Sequence, residues 1–191
     1  MRSISAMRMQ RHREASEMVK RSKMFIIDAV IAVVLLALDQ FTKYLAIERL
    51  KDRPAVPLID GVLELNYLEN RGSAFGMLQN QKYFILFVGV VFMAVILFFL
   101  FKLPEGKKFC IVHIFLAAVV AGGAGNMIDR IRFDYVVDFI SFVLINFPIF
   151  NVADCYIVVS VIGLFILFLF VFKEKDLEFL SFKQKKYREM K

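Results

Sequence analysis

The chain has 191 residues, 59% of them hydrophobic and 15% aromatic, with 22 Phe, no Trp and a mean hydropathy of +0.63. So much apolar surface needs lipid as its solvent, which excludes a soluble globular domain. The formal charge of +7 comes from basic residues set beside apolar runs. There they favour anionic headgroups of membrane lipids, and no nucleic-acid partner is expected.

In chain order, residues 1–23 form a basic tail with seven Lys and Arg. An apolar run over 24–46 reads as the first membrane helix; its length, and Asp39 and Lys43 near its end, argue against a cleavable signal peptide. The following loop, 44–82, is too long for a plain connector. Within it, 62–68 alternates and carries β-branched and aromatic residues, a strand approached through Pro54, Pro57 and Gly61. Residues 71–78 mix small and apolar types, as suits a short helix lying on the membrane surface. Further spans are read at 84–101, 109–126 and 153–172, before a charged tail at 173–191. Eighteen helical residues cover roughly 27 Å, enough for the hydrocarbon core. The reading is an all-α integral membrane protein, a four-helix domain over 24–172 between two tails.

Lys and Arg counts orient it: the two tails and the loop 102–108 hold seventeen, the other two loops seven. Both termini are therefore expected in the cytoplasm, with loops one and three outside. Cys110 and Cys155 each begin an apolar run, at opposite faces, too far apart for a disulfide.

Polar residues in or beside apolar segments are costly, so they are the informative ones. Five blocks qualify, all expected at the outer face: Asp39-Gln40-Phe41-Thr42-Lys43, Glu69-Asn70-Arg71-Gly72, Gly125-Asn126-Met127-Ile128-Asp129-Arg130, Val136-Val137-Asp138-Phe139-Ile140 and Phe150-Asn151-Val152-Ala153-Asp154. Asp138 sits between apolar pairs, where an unpaired carboxylate is desolvated. Asp154 opens an apolar helix, where an acid also serves as a cap. Brought together, two such acids share one proton, as in aspartic proteases. The ionised member draws a proton from water, while the protonated one stabilises the oxyanion and helps protonate the leaving amine. The positive end of the fourth helix favours charge on Asp154, leaving Asp138 the more readily protonated.

The remaining polar residues read as support. Asp39 and Lys43 are spaced to pair on one helix face, and Asp129 with Arg130 to tie down the third loop. Asn126 and Asn151 either orient the aspartates or cap helices. The small residues at 121–125 allow close helix packing. Asp28 is expected to snorkel or pair locally. His113 lies towards the other face, so no metal site is expected.

Taken in order, these blocks, with Asn70-Arg71-Gly72-Ser73-Ala74-Phe75-Gly76, resemble the signature blocks of bacterial lipoprotein signal peptidases. The resemblance implies a bacterial inner-membrane aspartyl endopeptidase with its active site at the outer face. It would remove signal peptides from diacylglyceryl-modified prolipoproteins, cutting just before the lipidated Cys. It also implies four helices with a small β-cradle and a surface helix in the first outer loop, no metal or cofactor, and inhibition by globomycin. A monomer is expected. Asp138 and Asp154 match the catalytic dyad; Asp39, Lys43, Asn70, Gly72, Asn126, Asp129, Arg130, Asn151 and Ala153 match positions that bind substrate or support the site. Two departures stand out. Asp134 occupies a position where the family often has a small residue, and the segment from Phe139 to Ala153 is short and poor in polar groups. Two other classes compete. A small ion- or proton-coupled transporter would need acids along a path across the membrane, and Asp28 alone lies near the inner half. A non-enzymatic assembly subunit would leave Asp138 unexplained.

Overall fold

The computed structural model describes residues 4–72 and 81–180. Its elements are α1 (Ile4–Leu50), β1 (Val56–Ile59), β2 (Leu63–Asn70), α2 (Lys82–Lys102), α3 (Lys107–Phe133), β3 (Val136–Phe142) and α4 (Val152–Phe170), with short 3₁₀ turns at Val143–Ile145 and Glu174–Leu180. All four α-helices are long and apolar enough to cross a membrane. The surface helix expected at 71–78 falls mostly outside the described residues.

Two boundaries and one element differ from those expected, each for a physical reason. Helix α1 begins twenty residues before its apolar run, because residues 4–23 lack Pro and Gly and are rich in good helix formers. Apolarity marks where lipid begins, not where the helix does. Helix α3 runs seven residues beyond Asn126, so Asp129 and Arg130 stand on a helix rather than in a loop. It ends at Asp134, whose φ of 68° is left-handed and whose N–H donates to the Arg130 carbonyl at 3.2 Å. Strand β3 was not anticipated. Its residues are apolar on both faces and largely buried, so the run lacks the alternation that marks a half-exposed strand.

The sheet is antiparallel with order β1-β2-β3. Register pairs Leu68 with Asp138, Glu69 with Val137 and Asn70 with Val136, beyond an irregularity between Leu65 and Leu68. Ala46 and Leu50 of α1 pack with Val137 and Phe139 of β3, which seats the sheet on the end of the bundle.

Helix α3 is the central post and packs against each of the other three. Half of its most apolar stretch is buried, against about a tenth for α1 and α4, so those two and α2 turn most of their surface to lipid. Helices α1 and α3 run parallel. Asp39 faces Gly125 near one end, and Asp28 meets His113 at 2.8 Å near the other. The local pairing expected for Asp28 is thus replaced by a partner 85 residues away, because both groups are almost wholly buried and each needs a polar contact. The close approach of α3 to α4 depends on Gly122, where a Cβ would lie 2.6 Å from the Ala153 carbonyl oxygen and 2.9 Å from Ile157 Cγ1.

Gly122→Ala is therefore expected to cost about 1–3 kcal/mol. Gly123→Ala, which meets only the flexible tip of Met93 at 2.9 Å, should cost less. Thermal unfolding in detergent, followed by circular dichroism, should show a midpoint several degrees lower for the first variant. Equal midpoints would contradict the close contact.

Candidate active site

The sequence Asn151-Val152-Ala153-Asp154 makes the start of α4 a capping box. Asn151 is the N-cap, its Oδ1 accepting from the Asp154 N–H at 3.1 Å, while Asp154 Oδ2 accepts from the Asn151 N–H at 3.2 Å. The cap is thus Asn151, and Asp154 contributes to it with one oxygen only. Its other oxygen, Oδ1, accepts from Asn126 Nδ2 at 2.8 Å.

Asp138 lies mid-strand in β3 and is 1% exposed. Its Oδ2 accepts from Asn70 Nδ2 at 2.8 Å and its Oδ1 from Asn151 Nδ2 at 2.6 Å. The two carboxyls are therefore bound to neighbouring amides, since Asn151 Nδ2 also donates to Asn126 Oδ1 at 3.2 Å. The orientation of each amide follows from partners that can only donate. Lys43 Nζ, 2.9 Å from Asn126 Oδ1, turns that amide's nitrogen toward Asp154. The Asp154 N–H does the same for Asn151, and the Gly72 N–H, 3.0 Å from Asn70 Oδ1, for Asn70. Three donors aimed by three donors leave the carboxyls facing amide N–H groups.

Lys43 holds this together. Its ammonium lies 3.0 Å from Asp39 Oδ2 and 2.9 Å from Asp129 Oδ2, with all three side chains almost fully buried. Each supporting acid then reaches a backbone N–H one residue before a dyad candidate. Asp39 Oδ1 accepts from Ala153 at 3.0 Å, and Asp129 Oδ2 from Val137 at 3.2 Å. Gly125 makes room, since a Cβ there would lie 2.3 Å from Asp39 Oδ2. Arg130 donates to the Asn126 carbonyl at 3.1 Å and to the Gly72 carbonyl at 2.9 Å, which ties the turn after β2 to α3. All eleven residues singled out in the sequence thus fall into one connected network.

Asp138's carboxyl is pushed up to about 7, first by burial and then by the charge of Asp154, against the opposing hydrogen bonds from Asn70 and Asn151. Asp134, the departure noted above, points elsewhere. It is exposed and pairs with Lys82 at the start of α2, whose hydrogen bond holds its carboxyl below the usual range.

Two contributions had no role assigned from the sequence, although Gln40, Glu69 and Arg71 lie in the marked blocks. Gln40 donates to Asp129 Oδ1 at 2.9 Å and to Asp39 Oδ2 at 3.3 Å; an amide in an apolar helix is itself the clue. On the sheet, Glu69 accepts from Lys51 at 3.0 Å and Arg71 at 3.1 Å, and the Tyr67 and Tyr135 hydroxyls lie 3.4 Å apart. That clasp joins the end of α1 to β2 and the approach to β3; Glu69 and Arg71 lie in a marked block, but nothing in the sequence pairs them with Lys51 or sets Tyr67 beside Tyr135. A cavity of about 160 Å³ opens between α2, α3 and α4, mostly apolar; neither Asp138 nor Asp154 lines it, but Asn126, which does, donates to Asp154.

A multi-pass helical bundle bearing one buried and one half-buried carboxyl, held by adjoining amides at one end, has the architecture of an aspartic-type membrane protease. Comparison with known proteins agrees and is more particular. A family model described as Signal peptidase (SPase) II matches residues 31–171. The chain is 46% identical over 142 residues to the lipoprotein signal peptidase of Caldanaerobacter subterraneus subsp. tengcongensis, covering 74% of this chain and 94% of that protein. It is 38% identical over 147 residues to that of Streptococcus thermophilus, covering 77% and 93%. A solved structure of a bacterial membrane enzyme superposes with a TM-score of 0.66 at 28% identity, covering 84% of this chain and 93% of that one. The chain belongs to the signal peptidase II family, which decides against the transporter and assembly-subunit readings.

Replacing Lys43 by Met would leave Asp39 and Asp129 buried against each other without their cation, at a cost of about 3–5 kcal/mol. Lys43→Met is therefore expected to unfold well below wild type by circular dichroism. Adding Asp39→Asn should recover part of the loss, and a double variant less stable than the single one would contradict the pairing.

Proposed function

We propose that the protein is an aspartyl endopeptidase that removes the signal peptide from diacylglyceryl-modified prolipoproteins, cutting just before the lipidated Cys with Asp138 and Asp154. The observation that carries this reading is the convergence of the two carboxyls on the adjoining amides of Asn126 and Asn151. In the resting enzyme Asp138 holds the shared proton, in keeping with its raised carboxyl. Asp154, which accepts from an N–H of its own capping box, is the ionised partner.

Water bound between the carboxyls loses a proton to Asp154 as its oxygen attacks the scissile carbonyl carbon. Asp138 gives its proton to the carbonyl oxygen, so no free oxyanion develops. Collapse of the tetrahedral intermediate breaks the C–N bond. The amine nitrogen takes the proton held by Asp154, and the intermediate's hydroxyl proton returns to Asp138, which restores the pair. Asn70, Asn126 and Asn151 keep the carboxyls aligned through the cycle, and Arg130 holds the Gly72 turn beside them. The apolar cavity lined by Asn126 and Arg130 suits the apolar residues next to the cut, and the family resemblance implies that globomycin inhibits by occupying the active site.

In this reading residues 24–172 form the peptidase domain of a monomer in the bacterial inner membrane, and both charged tails are cytoplasmic, as the Lys and Arg distribution favours. The carboxyl pair then faces outward. Acyl chains on the substrate Cys, each buried CH₂ contributing about 0.8 kcal/mol, hold the scissile bond near that interface.

A gel-shift assay with a diacylglyceryl-modified precursor tests the proposal. Asp138→Asn and Asp154→Asn, each checked for folding, should both lose roughly 10³-fold or more in rate, and unlipidated precursor should resist cleavage. Activity surviving in either variant would remove that residue from the dyad.

The pH profile gives a separate test. Below about pH 7 Asp138 keeps its proton; above it the pair loses that proton and the carbonyl oxygen has no acid. Thus kcat/KM should fall on an alkaline limb with an apparent midpoint near 7, and on an acid limb once the pair takes up a second proton. A rate still rising from pH 7 to 9 would oppose the assignment.

A further inference from the structure

The first part of α1 and the hairpin joining α2 to α3 enclose a cleft of about 1130 Å³. It lies at the other end of the bundle from the carboxyls, as Lys23 and Lys43 are twenty residues, or roughly 30 Å, apart along α1. Four cations line it: Lys20, Arg21 and Lys23 from α1, and Lys102 from the end of α2; Glu17 and Glu105 are the acids among its lining residues. Two of the cations are held in place. The Arg21 guanidinium donates to the Phe101 carbonyl and sits 5.6 Å over the Phe25 ring, and the Lys102 ammonium is 4.7 Å over the Phe98 ring. Within one turn of Lys23 the lining becomes apolar, with Met24, Ile27 and Leu103. Ile27 is half exposed and points the cleft toward the lipid-facing surface of α1.

We propose that this cleft binds one anionic glycerophospholipid, its phosphate among the four cations and its acyl chains along Met24 and Ile27. Charge complementarity selects the headgroup, and the order from cationic rim to apolar wall matches a lipid rather than a soluble anion. A diffuse attraction of basic tails to the membrane would be spread over every Lys and Arg near the surface. Here four are gathered by two separate elements around one volume, and two are fixed by ring and carbonyl contacts. The three α1 cations that line the cleft lie on the last turn of the helix extension that precedes the apolar run. Assignment to the cytoplasmic leaflet rests on the orientation proposed above; the site itself does not.

Native mass spectrometry of the full chain, released from micelles containing equal phosphatidylglycerol and phosphatidylcholine with the same acyl chains, tests this. Wild type should retain one phosphatidylglycerol with a preference of roughly tenfold. Lys20→Gln/Arg21→Gln/Lys23→Gln, shown by its melting curve to be folded, should fall to about twofold or less. Equal retention of the two lipids by wild type would overturn the proposal, as would an undiminished preference in the triple variant. Displacement of the lipid by excess glycerol phosphate would assign the cleft to a soluble phosphate and overturn it too. Cleavage of lipidated precursor in phosphatidylcholine micelles, measured alongside, keeps the two proposals apart. Wild type that retains phosphatidylglycerol selectively yet does not cleave would support the lipid site and sink the peptidase reading alone.

Discussion

Lys43 is buried with all three of its N–H donors engaged, one by Asp39, one by Asp129 and one by the side-chain oxygen Oδ1 of Asn126. Taking a charge cluster out of water is expensive, and it persists only where every lone pair and proton finds a partner. Here the remaining carboxylate oxygens are filled by the Ala153 N–H and the Gln40 amide, while the Val137 N–H shares Asp129 Oδ2 with Lys43. The requirement to satisfy the cluster is also what locates the candidate catalytic groups. Asp39 can complete its coordination only if the start of α4 is near, and Asp129 only if β3 is. Both demands set the backbone one residue ahead of an aspartate.

This linkage explains how a strand and three helices from distant parts of the chain meet with hydrogen-bond accuracy. Small residues permit the approach, as the 2.6 Å and 2.3 Å contacts a Cβ would make at Gly122 and Gly125 attest. Contact alone would allow sliding, because helices packed in lipid gain little from one register over another. The ion cluster removes that freedom at one end of the bundle and the Asp28–His113 contact at the other. Between the two, α1 and α3 share a nearly constant offset, 85 residues at Asp28–His113 and 86 at Asp39–Gly125. Their relative position is set twice.

Much of this was legible in the chain. Four apolar runs marked the spans, and the cost of placing Asp39, Lys43, Asp129 and Asp138 against lipid-soluble neighbours marked residues that had to find one another. What sequence could not reveal was governed by partners far along the chain. Strand β3 has the composition of a buried run on both faces, and only pairing with β2 makes it a strand. Nothing local tells that Asp28 would prefer His113 to a neighbour, since that choice depends on how α1 and α3 align. The end of α3 was misjudged because polarity rises at Asn126 while the helix continues to Phe133. Polarity reports the solvent a residue meets, and here the polar residues meet each other.

The two proposed activities of the bundle, peptide cleavage at one end and lipid binding at the other, call for opposite electrostatics, and the fold separates them. Asp138 needs a site whose burial holds its carboxyl near 7, and a loose surface cation beside it would undo that shift by stabilising the charged form. The cations that do come near are each committed: Lys43 to two other carboxylates, Arg130 to two backbone carbonyls. Basic residues that hold the protein to an anionic surface must stay accessible, and those in the cleft lie roughly 30 Å away along α1. Coulomb energy falls with distance, so across roughly 30 Å it is about a tenth of that at 3 Å, and the cleft's exposed cations are screened further by the salt water they meet. The length of a membrane-spanning helix thereby lets a strongly basic protein keep the raised carboxyl of Asp138 apart from the cations of the cleft.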